Sequence, residues 1–180
     1  MLTKLETEQI ERLSPADFEQ AAKFPVVVLL DNLRSMHNVG SAFRTADAFA
    51  IEKIYLCGIT AQPPHREIEK TALGATQTVS WAHVGNITEI VSKLKLEGYQ
   101  IIAIEQTNQS EALQNFFPQA TQKIAYLFGN EVFGLSEEVL PFVDKAIEIP
   151  QFGTKHSLNV SVSIGIVLWD YVSKQKGKLI

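Results

Sequence analysis

The chain is poor in the features that mark several large protein classes. It has a single cysteine, Cys57, so no intrachain disulfide is available. No apolar run approaches the ~20 residues that a membrane-spanning helix needs. The amino-terminal stretch MLTKLETEQIERL is charged and amphipathic, without the apolar centre of a secretion signal. These absences predict a soluble, cytoplasmic protein with no membrane partner. Excess positive charge is missing too: the net charge is -4, which argues against capture of nucleic acid by a broad electrostatic field. A local basic face remains compatible with that total.

Several catalytic signatures are also missing. No G-x-G-x-x-G follows the first predicted strand, so a dinucleotide bound in Rossmann fashion is not indicated. Gly129 to Ser136, GNEVFGLS, has the glycine spacing of a phosphate-binding loop, but Leu135 occupies the position of the required lysine. His37, His65, His83 and His156 are dispersed, and Cys57 has no partner at ligand spacing, so no metal site is predicted. A nucleophile elbow, G-x-S-x-G, is absent as well.

What is present is an alternation of strands and helices. With 180 residues, 46% hydrophobic and 20% charged, the composition is that of one globular core. Val26 to Asn32, VVVLLDN, reads as a strand buried on both faces of a parallel sheet. A loop, RSMHNVG, and a helix from about Ser41 to Ala50 follow. KIYLCG, TVSWAHV, YQIIAIEQT and KIAYLFGN read as further strands. Between them, helices are predicted near Arg66 to Leu73, from Ile87 to Gly98, from Glu111 to Phe117 and from Ser136. Before residue 25, Leu2, Leu5, Ile10 and Leu13 predict one helix, and Ser14-Pro15 opens a second. The expected division is therefore a helical extension over 1–24 and an α/β domain with a mostly parallel sheet over 25–180.

The last predicted helix, SLNVSVSIGIVLWDYV, has Leu158, Val162, Ile166, Val167 and Trp169 at roughly helical spacing, predicting a buried helix. Its small polar entrance has two readings: Ser157 caps the helix, or the first turn is a wall of a ligand cradle. In open parallel sheets, ligands lie beyond the carboxyl ends of the strands. Three strand ends carry polar and glycine clusters: Asn32 to Arg44, Gly129 to Ser136 and Gln151 to Asn159. They are expected to meet in space. Asn38 is placed in a loop and Arg44 on the following helix. Arg44 could fork hydrogen bonds onto a phosphate or pair with Asp47. Glu131 could receive a ligand hydroxyl or cap the next helix.

In order and together, NVGSAFRT (38–45), GNEVFGLS (129–136) and IPQFGTKHSLNVSVS (149–163) resemble the three signature motifs of the SpoU (TrmH-type) RNA ribose methyltransferases of the SPOUT superfamily. KTALGA (70–75) is similar to a segment of the same proteins. The resemblance covers most of the chain from about Val26. It implies a carboxyl-terminal deep trefoil knot, roughly 124–173, an exception to the rule against knotted chains. It also implies S-adenosyl-L-methionine held near Gly129, Ile149, Leu158 and Thr107, and a homodimer whose sites both subunits complete.

The implied reaction is methyl transfer to a ribose 2′-hydroxyl. Arg44 matches the catalytic arginine. A guanidinium stays protonated near neutral pH, so its implied role is to bind the adjacent phosphate and stabilise developing alkoxide. Asn38, Glu131, Ser157 and Asn159 match the other polar positions. No separate amino-terminal RNA-binding domain is seen in the sequence, so tRNA is favoured over rRNA as substrate. Arg34, Arg66 and Lys70 are candidate RNA contacts beside Arg44. A non-catalytic RNA-binding protein and a nucleotide-binding module are the competing readings.

Overall fold

The computed structural model describes residues 2–6 and 9–175. Strand β1 (Phe24–Asp31) carries the longest unbroken apolar run, and both its faces are buried as that run predicts. Val26, Val28 and Leu30 join one core; Val27 and Leu29 join the other. Around it lie β2 (Ile51–Cys57), β3 (Trp81–Val84), β4 (Gln100–Ile104), β5 (Glu111–Ala112), β6 (Ile124–Phe128) and β7 (Lys145–Glu148). They form one sheet in the order β3-β2-β1-β6-β4-β7-β5, every pair parallel.

Helices α2 (Met36–Ala48), α3 (Arg66–Ala72) and α5 (Val160–Lys174) contribute to the first core. Helix α4 (Ile87–Leu96) and the 3-10 turn Glu137–Phe142 contribute to the second. Strand β6 is inserted between β1 and β4, so the chain changes direction across the sheet there. The loops following β1, β6, β4 and β7 all emerge at the carboxyl ends of those strands, where ligands bind in such sheets. Among the described residues, no helix is long and apolar enough to cross a membrane.

Local physics moves several predicted boundaries. Helix α2 starts five residues earlier than expected because the Ser35 hydroxyl accepts the Asn38 backbone N–H at 3.3 Å. Asn38 therefore sits in the first helical turn and not in a loop. The cap of α5 is Asn159, whose side chain accepts the Ser161 N–H at 2.8 Å, and not Ser157. The predicted helix over Glu111 to Phe117 is a two-residue strand followed by a 3-10 turn, Leu113–Asn115. Leu113 and Phe116 both reach the first core from that single turn, and Pro118 disfavours continuation. At the amino end only α1 (Pro15–Gln20), capped by Ser14, forms an α-helix among the described residues. Leu2, Leu5 and Leu13 are exposed, so the predicted first stripe has no surface to pack on.

The outward side of α5 corrects a further expectation. Val160, Ile164, Val167, Leu168 and Tyr171 are buried, whereas Leu158, Val162, Ile166 and Trp169 remain substantially exposed. Tyr171 packs edge-on against Phe24 and Tyr126, with centroids 5.6 and 6.4 Å away. Burial pushes its hydroxyl up to about 12.

Helices α2 and α3 pack so closely that a β-carbon at Gly40 would come within 2.2 Å of both the Ile68 carbonyl and the Thr71 hydroxyl. The Thr71 hydroxyl donates to the His37 carbonyl at 3.0 Å across the same contact. Gly40→Ala is accordingly expected to destabilise the fold by about 1–3 kcal/mol, read as a lower urea midpoint with little change in slope.

Candidate functional site

The loop after β6 folds back over its own strand. Backbone bonds run from Asn130 N–H to the Gly134 carbonyl (2.8 Å) and from Gly134 N–H to the Asn130 carbonyl (3.0 Å). The Asn130 side chain accepts the Val132 and Phe133 N–H groups at 2.9 and 3.2 Å, which closes a tight turn. A β-carbon on Gly129 would fall 2.2 Å from the backbone of Gly134. Gly134 itself has φ +71, and a β-carbon there would meet the Glu105 carboxylate at 2.4 Å. Both glycines are thus required by the turn before any ligand is considered.

Buried Asp31, at the end of β1, holds this turn in place. It accepts the Ser136 N–H at 2.7 Å and the Asn32 amide at 2.8 Å. The Asn130 amide in turn donates to the Asn32 carbonyl at 2.7 Å.

With the turn fixed, Glu131 points at the start of α2. Its carboxylate accepts the Arg34 N–H (3.2 Å), the Ser35 N–H (3.1 Å) and the Asn38 side-chain amide (3.1 Å). Asn38 passes the chain on: its side-chain oxygen accepts the Asn159 amide at 3.3 Å. The three polar clusters meet in this one network. Desolvation is the largest single influence on Glu131 and pushes its pKa up. It is outweighed by bonds from its own backbone, Arg34, Asn38 and Ser35, which hold the group below the usual value.

Beside the network lies a cleft of about 600 Å³, within the range of small-molecule sites. Gly129, Glu131, Ile149, Ser157, Leu158 and Asn159 all line it, as their positions in the motifs imply. Thr107 does not. Its carbonyl accepts the Ser110 hydroxyl at 3.0 Å, and its own hydroxyl accepts the Gln109 N–H at 3.2 Å. Glu105 and Gln106 take its place on the wall, together with Glu148 and Phe133. The signal for Glu105 was its position directly after the apolar run of β4, at a carboxyl strand end.

Arg44 is exposed on α2 and lies outside the lining. Asp47, its alternative partner, instead accepts the Thr78 hydroxyl at 2.5 Å. Arg34 and Arg66 are exposed, while Lys70 pairs with Glu67 at 2.7 Å. Among the described residues, no group of three or more metal-ligating side chains comes together.

Residues 25–169 match the SpoU rRNA Methylase family. The chain belongs to that family. It is 31% identical over 150 residues to the 23S rRNA (guanosine-2'-O-)-methyltransferase RlmB of Neisseria meningitidis, a match covering 83% of this chain and 59% of that protein. The chain thus spans less than two thirds of the length of that family relative. Its fold matches the TrmH/SpoU tRNA modifying enzyme of A. aeolicus with a TM-score of 0.79, 26% identity and coverage of 90% and 82% of the two chains. It also matches an AdoMet-bound rRNA methyltransferase of Sinorhizobium meliloti, with a TM-score of 0.77, 27% identity and coverage of 89% and 60%. The family architecture is the α/β-knot fold expected from the motifs.

The depressed Glu131 pKa makes a pH prediction. A group lowered on folding stabilises fully above its unfolded value, near 4.5, and loses that contribution as pH falls through its lower folded value. Glu131→Gln should cost about 1 kcal/mol at pH 7, a modest figure because the carboxylate is partly solvated. The difference in urea midpoint from the unsubstituted protein should shrink below about pH 4.5.

Proposed function

We propose that this protein is an S-adenosyl-L-methionine-dependent RNA methyltransferase acting on a ribose 2′-hydroxyl, with tRNA favoured over rRNA. The observation that carries this reading is the Glu131-Asn38-Asn159 network, which joins all three family motifs at one edge of the cleft. Likeness to the A. aeolicus tRNA modifying enzyme, at a TM-score of 0.79 and 26% identity, supports the choice of tRNA.

The cleft fits the methyl donor chemically. Ile104, Ile149 and Leu158 offer apolar surface to a planar base, and Glu105 and Glu148 offer carboxylates to a cationic ligand. Gly129, Ile149 and Leu158 would hold it. When bound, the donor would supply an electrophilic methyl on a sulfonium for the ribose oxygen. The chain's own task is to position that oxygen and hold its phosphate. Asn38, Glu131, Ser157 and Asn159 orient the ribose and the loops around it. Arg44 binds the adjacent phosphate and stabilises charge developing on the oxygen.

That Arg44 lies outside the cleft of its own chain supports a site completed by a second subunit. The outer face of α5 supplies apolar surface for a homodimer. Val162, Ile166 and Trp169 share one helical face and are exposed by 49, 36 and 59%. Residues 1–24 form an extension to the catalytic domain, 25–180, with the knot over roughly 124–173. The tail beyond residue 175, with its lysines, lies outside the described residues.

Labelled donor and total RNA from cells lacking the protein should yield a 2′-O-methylated nucleoside in the tRNA fraction. Donor binding without transfer to any RNA would refute the activity. Arg44→Ala should lower turnover by about a hundredfold or more while donor affinity, measured by calorimetry, changes little. Sedimentation should show a dimer, and Ile166→Lys with Trp169→Glu should convert it to a monomer that transfers methyl poorly.

A further inference from the structure

Phe133 is an apolar side chain in an unusual position. The residue is 75% exposed, yet it lines the cleft. Burial of a phenyl ring is strongly favourable, so its exposure is maintained against a steady driving force. The turn explains how. The Phe133 N–H is fixed on the Asn130 side chain at 3.2 Å, and the Asn130-Gly134 bridge closes behind it. Those bonds fix the backbone of the turn, with the ring on the cleft side and outside the core.

Arg34 stands beside it, with its guanidinium carbon 5.7 Å from the ring centroid. The Arg34 backbone is itself anchored, because its N–H donates to the Glu131 carboxylate. The backbones that carry ring and guanidinium are thus held by neighbouring residues, Asn130 and Glu131. Charge distinguishes this rim from the wall of the cleft. Glu105 and Glu148 on the wall repel phosphate, whereas Arg34 at the rim attracts it. An exposed aromatic face on a fixed turn, next to a guanidinium, is suited to stacking a planar base while its phosphate is neutralised.

We propose that Phe133, flanked by Arg34, is the stacking platform for the nucleobase whose ribose enters the site. The proposal rests on the RNA methyltransferase reading above and adds an element that the three polar motif positions do not supply. Stacking accepts any base face, so the platform sets the orientation of the nucleotide and leaves the identity of the base to other contacts.

The test compares methyl transfer to RNA by the full-length protein and its Phe133→Ala, Phe133→Leu and Phe133→Tyr variants. Phe133→Ala should lower kcat/KM by about tenfold or more, chiefly through KM, since loss of one stacked base has an effect of that order. Phe133→Leu should resemble Phe133→Ala, and Phe133→Tyr should restore most of the lost efficiency. Affinity for the methyl donor, whose cleft Phe133 also lines, should change by a smaller factor than kcat/KM in each variant. Wild-type kcat/KM in Phe133→Ala, or equal activity of the Leu and Tyr variants, would overturn the platform while the methyltransferase reading stands. Dissociation of Phe133→Ala into monomers would also overturn it, by making the ring a subunit contact. Donor binding by the unsubstituted protein without methylation of any RNA would remove both.

Discussion

A single carboxylate, that of Glu131, gathers segments of the chain that lie far apart in sequence. It accepts two backbone N–H groups ahead of α2 and the amide of Asn38, which in turn holds the Asn159 amide. Hydrogen bonds to a charged acceptor are stronger than neutral ones, and several on one carboxylate reinforce its ionised form. Each bonded group also sits at a helix entrance. The Ser35 cap begins α2 three residues before Asn38, and Asn159 begins α5. Helix starts and cleft edge are thus one structure: the caps that end the loops also deliver the motif residues.

The turn that presents Glu131 depends on burial of a different acid. Asp31 is almost fully enclosed and uses both oxygens, one on Ser136 N–H and one on the Asn32 amide. A buried carboxylate left without partners is costly, so the end of β1 and the loop after β6 are obliged to stay together. That requirement fixes the floor of the cleft. The exposed outer positions, Val132 and Phe133, support no core contact, so their side chains answer to the cleft and not to the fold.

Much of this was legible in the sequence, and the reasons for the exceptions are physical. The run VVVLLDN signalled a doubly buried strand because parallel strands with helices on both sides leave no polar face. Motif spacing located Gly129, Glu131, Ile149, Ser157, Leu158 and Asn159 on the cleft. The periodicity of Val162, Ile166 and Trp169 was real, but a stripe shows that one face is apolar and not what covers it. In the chain alone those side chains point outward. Arg44 was likewise placed correctly on its helix, but sequence carries no information about whether a helix face looks into its own cleft or a neighbour's. Thr107 was displaced by Glu105 and Gln106 because the chain turns away two residues after β4 ends. Asn38 and Asn159 were recognised as polar positions, while their direct contact required the fold.

The central place of β6 has a consequence for how the protein is made. Strands β1 and β4 flank a gap that only residues 124–128 can fill. At about 5–20 residues per second, synthesis leaves the open edge of β1 waiting roughly 5–20 seconds for its neighbour. During that interval the two unpaired edges can bond to each other or to another nascent chain, and either pairing would exclude β6. Strands β1, β2 and β3 can pair in order as the chain emerges, but the sheet cannot be joined to β4 until β6 arrives. The strand that joins the two halves of the sheet is therefore also the one that carries the Gly129–Ser136 turn into place at the cleft.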